Sequence, residues 1–310
     1  MDLSTRTLVL VNPVSGGGRA RRAQPSVADY LRKRGLRADF ILTESSMEMQ
    51  QRAAAAASQG YGCVAALGGD GTFHHVMTGA FRTGAALGCL PAGGGNDIAV
   101  GLGIPTDPLA AAHALLRWNS RPVDVLRVNF PRGPSRIYIG AGGIGADAEA
   151  AQLAAGRFRP LPGAFRYVAA ILWALRTFQP FQVRIEADGK QFVESALFLS
   201  VANAPVYGSG VKIAPAAVMD DGLMDLTLVG DLPWTRIFEA VPLILRTGDL
   251  RWPEIHRFRA RRVRLAAGRA ALFHGDGEIL GEVRASEWIE IEVLSGAVPV
   301  VAPPVRRAMP

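Results

Sequence analysis

Within its first 122 residues this 310-residue chain alternates short apolar runs with longer amphipathic ones, and three of the apolar runs stop at clusters of glycine. The runs LVLVN, ADFILT, CVAALG and ALGCLP are too short and too continuous for amphipathic helices, and the segments between them carry helical spacing. That alternation specifies a mostly parallel sheet with helices on both faces. Ligands of such sheets bind beyond the carboxyl ends of the strands. The clusters Gly16 to Gly18, Gly68 to Gly71 and Gly93 to Gly95 fall at those ends, so they are expected to converge on one crevice.

After Pro122 the texture changes to strand-like pieces separated by turn signals, among them VDVLRVNF, RIYIGAGG, FQVRIEADGKQF, SALFLSVAN, LMDLTLVG and WIEIEVL. Many short strands spaced by turns point to an antiparallel sandwich. Two stretches, around Phe165 to Phe178 and Trp234 to Thr247, read as helices. The expected class is therefore α/β plus β. An α/β domain over residues 1–122 precedes a β-sandwich domain over 123–294, and the tail AVPVVAPPVRR fits either domain by periodicity.

Composition narrows the setting. At 49% hydrophobic and 20% charged residues the chain is globular. No apolar run reaches the ~18 residues of a spanning helix. The N-terminus reads as a first strand and not a signal peptide, which makes the cytoplasm the default. Cys63 and Cys89 sit in apolar runs and suit reduced core positions. A net charge of +7 and a pI near 10 favour anionic partners without choosing among them. The run His256 to Leu265, HRFRARRVRL, reads as one strand with Arg257, Arg259 and Arg261 on one face, either a charge-protected edge or a contact for anionic lipid.

The strongest local signal is LGGDGTFHHV, residues 67–76, a strand that ends in glycines around one carboxylate with a helix expected from Thr72. Glycines let the backbone approach phosphate oxygens, and N–H groups at a helix start favour anions. Asp70 would repel a phosphate there, which a bridging Mg²⁺ resolves; an N-capping Asp in a tight turn is the plainer reading. LPAGGGNDIA, residues 90–99, repeats the logic with Asn96 and Asp97 opening a helix, and NPVSGGGRA, residues 12–20, adds Asn12, Ser15 and, as a phosphate partner, Arg19. No GxxxxGK[ST] occurs, which excludes a P-loop. Gly140, Gly142 and Gly145 fit the GxGxxG spacing but lack the following acid-terminated strand of a dinucleotide site.

Taken together, NPVSGGG, GGDGT, PAGGGND, IGAGGIGADAE, APAAVMDDGLMD and HGDGE resemble, in order and over nearly the whole chain, the diacylglycerol kinase catalytic family, which includes bacterial lipid kinases and sphingosine kinases. The resemblance implies ATP held between an α/β domain and a β-sandwich domain, with the last segment, 295–310, returning to the first. It implies phosphate contacts from Gly68, Gly69, Asp70, Gly71 and Thr72, with Asn12, Ser15, Gly16, Thr43, Gly93, Gly94 and Asn96 completing the nucleotide site. Asp70 and Asp97 would organise catalytic Mg²⁺, Asp124 would join that network, and Glu278 would be the general base. A second, structural Mg²⁺ would be held by Asp221 with the carbonyls of Val218 and Leu223. On their residues alone, DGE and DDG also read as ordinary turns.

This sequence departs from the family at Gly94, where Thr is usual, and at His74 and His75, where Asn-Glu is usual. The two histidines are expected as helix-surface or core residues whose side chains diverge. The expected acceptor is a lipid met peripherally at a membrane surface, with no nucleic-acid partner and a homodimer left open. RYVAAILWALRTF and WTRIFEAVPLILRTGDLRW are the amphipathic candidates for that contact, or else caps on the sandwich core. The rivals are a GGDGT-type kinase for a soluble acceptor such as NAD, and a catalytically weak nucleotide- or membrane-binding homologue.

Overall fold

The computed structural model describes residues 5–304 apart from 118, 159 and 162. Its chain divides into one unit of Met1–Val123 with Gly296–Pro310 and a second of Asp124–Ser295. Residues 305–310 of the expected return segment lie outside the described residues.

In the first unit, Thr7–Val11 (β1), Ala38–Leu42 (β2), Cys63–Gly68 (β3) and Ala86–Pro91 (β4) pair in parallel in the order β2-β1-β3-β4. β1 and β3 are buried throughout, as uninterrupted aliphatic strands covered on both faces must be. Val300 near the chain's end pairs in parallel with Leu87 of β4, so the tail returns to this sheet. The helices are Ser15–Lys33 (α1), Ser46–Ala56 (α2), Asp70–Ala80 (α3), Asp97–Leu102 (α4) and Pro108–Arg117 (α5), with α1 packed on α5 and α2 on α3. The chain leaves β1 for β2 on one side, then crosses to β3 on the other. The strand order therefore reverses between β1 and β3, which is where open α/β sheets leave a crevice at the strand ends.

The second unit contains Ser120–Asn129 (β5, entered from the first), Arg136–Tyr138 (β6), Ala141–Gly145 (β7), Ala146–Ala155 (α6), Gly163–Thr177 (α7), Phe181–Ala187 (β8), Lys190–Ala196 (β9), Phe198–Ala202 (β10), Met224–Val229 (β11), Trp234–Arg246 (α8), Ile255–Ala260 (β12), Arg262–Ala267 (β13), Ala271–Gly275 (β14), Glu278–Val283 (β15) and Trp288–Val301 (β16, leaving for the first unit after Ser295). One antiparallel sheet runs β12-β11-β10-β7-β14-β15. Strands β16, β13, β8 and β9 pair in that order in the other, with β5 on β16 and β6 on β5. Alternate residues of both sheets, such as Ile144, Val201, Leu226 and Phe273 from one and Leu126, Val183, Leu265 and Ile291 from the other, share one buried core. Both stretches read as helical are helices, α7 and α8. Among the described residues no helix is long and apolar enough to cross a membrane.

Two expectations are corrected. The helix after β3 starts at Asp70, with Gly69 as its cap, and not at Thr72. The run His256 to Leu265 is two strands in different sheets, because the Asp188 carboxylate accepts from the N–H of Arg261 at 3.0 Å and of Arg262 at 3.1 Å and fixes a corner there. Arg257 and Arg259, two apart in β12, do share the face opposite core-packed Phe258 and Ala260, where Arg257 donates to the carbonyls of Gly248 and Leu250 and Arg259 pairs with Asp221 and Asp225, while Arg261 sits at the corner outside both strands. Of the discounted GxGxxG match, Gly142 and Gly145 lie in β7, an interior antiparallel strand between β10 and β14, where a Cβ on Gly142 would come within 2.3 Å of the His274 carbonyl oxygen.

Phe273 is fully buried, its ring 6.0 Å from that of Tyr138 and 6.3 Å from that of Phe130. Phe273→Ala is expected to lower unfolding stability by about 3–5 kcal/mol in urea titrations followed by circular dichroism. A loss under about 1 kcal/mol would show that the two sheets are not packed through this ring.

Candidate active site

In the first unit three loops at the ends of β1, β3 and β4 touch one another. Asn12, just past β1, donates from Nδ2 to Thr72 Oγ1 at 3.2 Å and so spans the point where the strand order reverses. Thr43, 4% exposed at the end of β2, donates through both its N–H and its hydroxyl to the Val11 carbonyl. Gly16, Gly17 and Gly18 all have left-handed φ values of 59, 66 and 81°. A Cβ on Gly16 would lie 2.1 Å from the Ala92 carbonyl oxygen, so only glycine lets this loop reach the β4 loop. The same closeness joins the other two loops, since a Cβ on Gly93 would sit 2.4 Å from the Gly69 Cα, and one on Gly69 would sit 3.4 Å from Ser15 Oγ.

Side chains lock this contact. Arg19, expected to meet phosphate, instead donates to the carbonyls of Ala92 and Gly93 and ties the first loop to the third. Asn96, at φ 61°, accepts from Gly93 N–H at 2.8 Å and donates back to the Gly93 carbonyl at 3.2 Å. Asp70 Oδ1 accepts from the N–H of Ile98 at 2.9 Å, one residue beyond Asp97, so the two expected carboxylates occupy one corner of the unit. Gly94 and Gly16 are exposed while Gly68, Thr72, Gly93, Asn96 and Asp97 are buried and Gly71 is half-buried. What results is a floor of backbone with two carboxylates at its edge.

Two carboxylates, with phosphate oxygens and water for the remaining positions, are a donor set that suits Mg²⁺. The half-buried Asp70 and the nearly buried Asp97 fit it. Cys89, on β4 beneath them, has its thiol pushed up by burial and by the Asp70 charge, and burial pushes Cys63 up to about 12; both stay inert core groups. His74 is buried and His75 half-buried, with His75 Nδ1 3.1 Å from Gln50 Nε2. Their rings meet edge to face at 5.4 Å where divergence was expected.

The second unit holds the other expected residues. Asp124, 2% exposed, accepts from Gly222 N–H at 2.7 Å, and its own N–H donates to the Met219 carbonyl. It therefore clamps the loop that carries Val218, Asp221 and Leu223. Asp221 accepts from Leu223 N–H at 3.0 Å and is ion-paired with Arg259, which also reaches Asp225 at 3.4 Å. The Arg259 guanidinium here places positive charge on the carboxylate expected to hold a structural metal. Glu278 is exposed and opens β15, directly after a two-residue hairpin in which Asp276 and Gly277 have φ of 55 and 84°, the pair of left-handed values such a turn requires.

Sequence reasoning missed how that hairpin is held. Both Asp276 oxygens accept backbone N–H groups, from Ile139 at 3.0 Å and Gly140 at 2.7 Å. His274, in the preceding strand, lies 3.1 Å from Asp147 at the start of α6, with both side chains nearly fully buried. Asn203 donates to the carbonyls of Asp124 and Ile139, at 3.0 Å each, and links the Asp124 clamp to the same region. The acid of HGDGE was visible in the sequence; Asn203 and the His274–Asp147 pair carried no spacing that announced them. Nearby, α6, α7 and α8 border with the six-stranded sheet an apolar pocket that opens to solvent. Its walls are aliphatic and aromatic, as at Ile171, Leu172, Phe198, Val229 and Ile244, with Asp147, Thr227 and Arg257 at its border.

The family model for the diacylglycerol kinase catalytic domain matches residues 6–128, and that for the YegS C-terminal NAD kinase beta sandwich-like domain matches residues 140–302. The chain belongs to the diacylglycerol kinase family. It is 30% identical over 260 residues to a diacylglycerol kinase of Mycobacterium tuberculosis, covering 83% of this chain and 84% of that one. It is 26% identical to a diacylglycerol kinase of Bacillus subtilis across 89% of this chain and 90% of the relative. A diacylglycerol kinase structure from Bacillus anthracis shares the fold, with a TM-score of 0.74 over 96% of this chain and 97% of that one at 20% identity. The protein is a lipid kinase, and its family implies use of ATP.

If the interlocked floor of this lipid kinase holds the nucleotide, Gly93→Ala, whose new Cβ meets the Gly69 Cα at 2.4 Å, must push the β3 and β4 loops away from each other. ATP affinity measured calorimetrically is expected to fall at least about ten-fold, roughly 1.4 kcal/mol. Unchanged affinity in a folded variant would remove the loops from nucleotide binding.

Proposed function

We propose that the protein transfers the γ-phosphate of ATP to the hydroxyl of diacylglycerol or a close relative, giving phosphatidic acid or its counterpart. The observation that carries the acceptor's class is the apolar cavity bounded by α6, α7 and α8. Its aliphatic and aromatic walls suit a hydrocarbon chain and offer little to a nucleotide's charged groups. A kinase for a soluble acceptor such as NAD would have no use for such walls.

On this reading the glycine floor cradles the phosphates through backbone N–H groups, and the α3 N-terminus adds its positive end. Asn12, Arg19 and Asn96 fix the loops that form that floor, so the donors need no reorganisation when phosphate arrives. Asp70 and Asp97 would hold Mg²⁺, which would supply charge to neutralise the phosphates. Glu278 accepts the acceptor's hydroxyl proton as that oxygen bonds to the γ-phosphorus; the bond from phosphorus to the β–γ bridging oxygen breaks, and ADP leaves. The exposed position of Glu278 leaves its carboxylate accessible to an incoming hydroxyl, and the Asp276 clamp keeps the hairpin that bears it rigid. The product would enter phospholipid metabolism, with the protein working from the cytoplasm on lipid at a membrane surface.

With labelled ATP and mixed micelles of diacylglycerol, label is expected in the organic phase and none in NAD supplied as rival acceptor. Glu278→Gln is expected to lower kcat by about 10²–10⁴-fold, the usual contribution of a general base, with ATP affinity within about two-fold of the parent. Label found only in a water-soluble product overturns the acceptor, and a fully active Glu278→Gln overturns the base.

A further inference from the structure

Helix α7 turns Ile171 and Leu172 inward but also shows apolar side chains outward. Against α6 it packs Ala170 and Ala174, both at 0% exposure, on Ala146, Ala150 and Ala154, with Ile171 partly buried beside them. Two of its aromatic side chains are exposed: Phe165 at 75%, and Trp173 at 40% although its ring meets that of Phe158 edge to face at 6.4 Å. The two are eight residues apart, a spacing that returns to one side of a helix. Leu161 just before the helix is 39% exposed, and Leu243 on α8 is 41% exposed. A helix serving only its own core would not leave Phe165 and Trp173 exposed, because burying a large aromatic side chain is strongly stabilising.

Charge selects the partner. Between Glu149 and Glu186 the chain carries five arginines, at 157, 159, 166, 176 and 184, and no carboxylate. The guanidinium of Arg157 lies 4.2 Å from the centre of the Trp173 ring, and Arg176 near the helix end is exposed. Exposed aromatics bordered by arginine are the pattern of segments that sit in the headgroup layer, rings toward the acyl chains and cations on lipid phosphates. A protein partner's apolar patch would match the rings but not an acid-free run of arginines.

We infer that α7, with the Leu161 loop before it, is the surface by which this protein docks on anionic lipid bilayers. The inference rests on the lipid-kinase reading and extends it. Ile171 and Leu172 of the same helix line the apolar cavity, so docking of α7 brings the cavity wall to the lipid surface.

The test uses the full chain and sedimentation with vesicles of phosphatidylcholine, alone or mixed with phosphatidylglycerol. The protein is expected to bind the mixed vesicles, and less tightly as salt rises. Phe165→Ala with Trp173→Ala, and separately Arg157→Glu with Arg176→Glu, is expected to weaken that binding at least about ten-fold. Each double variant should still phosphorylate a short-chain diacylglycerol dispersed in detergent at the parent rate. Equal binding to neutral and anionic vesicles overturns the proposal, as does unchanged binding of both double variants. So does a parent that stays off vesicles but forms a dimer the aromatic variant cannot form, which would make this face a contact between copies. If vesicles bind but short-chain diacylglycerol is not phosphorylated, docking stands and the acceptor assignment fails.

Discussion

Everything in the first unit depends on three backbone loops approaching more closely than any side chain allows. The chain reverses its strand order between β1 and β3, and that reversal opens a crevice at the strand ends. Into it come loops whose contacts measure 2.1 Å from a would-be Cβ of Gly16 to the Ala92 oxygen and 2.4 Å from that of Gly93 to the Gly69 Cα. Removing side chains leaves N–H groups facing outward with little to shield them, and this is what a phosphate chain binds. Arg19, Asn12 and Asn96 spend their polar groups on neighbouring loops, holding the floor in place before a ligand arrives.

The features of this architecture legible in the sequence are those written in local spacing. Continuous aliphatic runs such as CVAALG can only be covered strands, and the glycines after them had to be close approaches because nothing else explains three clusters at three strand ends. The short alternating pieces after Pro122 gave the sandwich for the same reason. The reading failed where a distant partner decides. HRFRARRVRL has the spacing of one strand, and only Asp188, more than seventy residues earlier, bends it into two. Arg19 looks like a phosphate ligand until the Ala92 and Gly93 carbonyls, also more than seventy residues away, claim it.

The second unit shows how buried polar groups can brace a functional segment without any motif. Asp276 fixes the Glu278 hairpin by accepting two backbone N–H groups, bonds that a charged acceptor makes stronger than neutral ones. Asp124 does the same for the 219–223 loop, and Asn203 joins the two through carbonyls of Asp124 and Ile139. Arg259 satisfies Asp221 and Asp225 together, and burial still raises the Asp225 carboxyl above its ordinary range. These residues are scattered over 150 positions of chain from Asp124 to Asp276, so their joint role emerges only with the fold.

The central claim is that the three glycine loops act as one phosphate-holding floor, and amide hydrogen exchange with and without ATP and Mg²⁺ tests it most directly. The account predicts that nucleotide slows exchange together in the segments 15–18, 69–72 and 93–97. Protection confined to one of the three, or none in any, would contradict it.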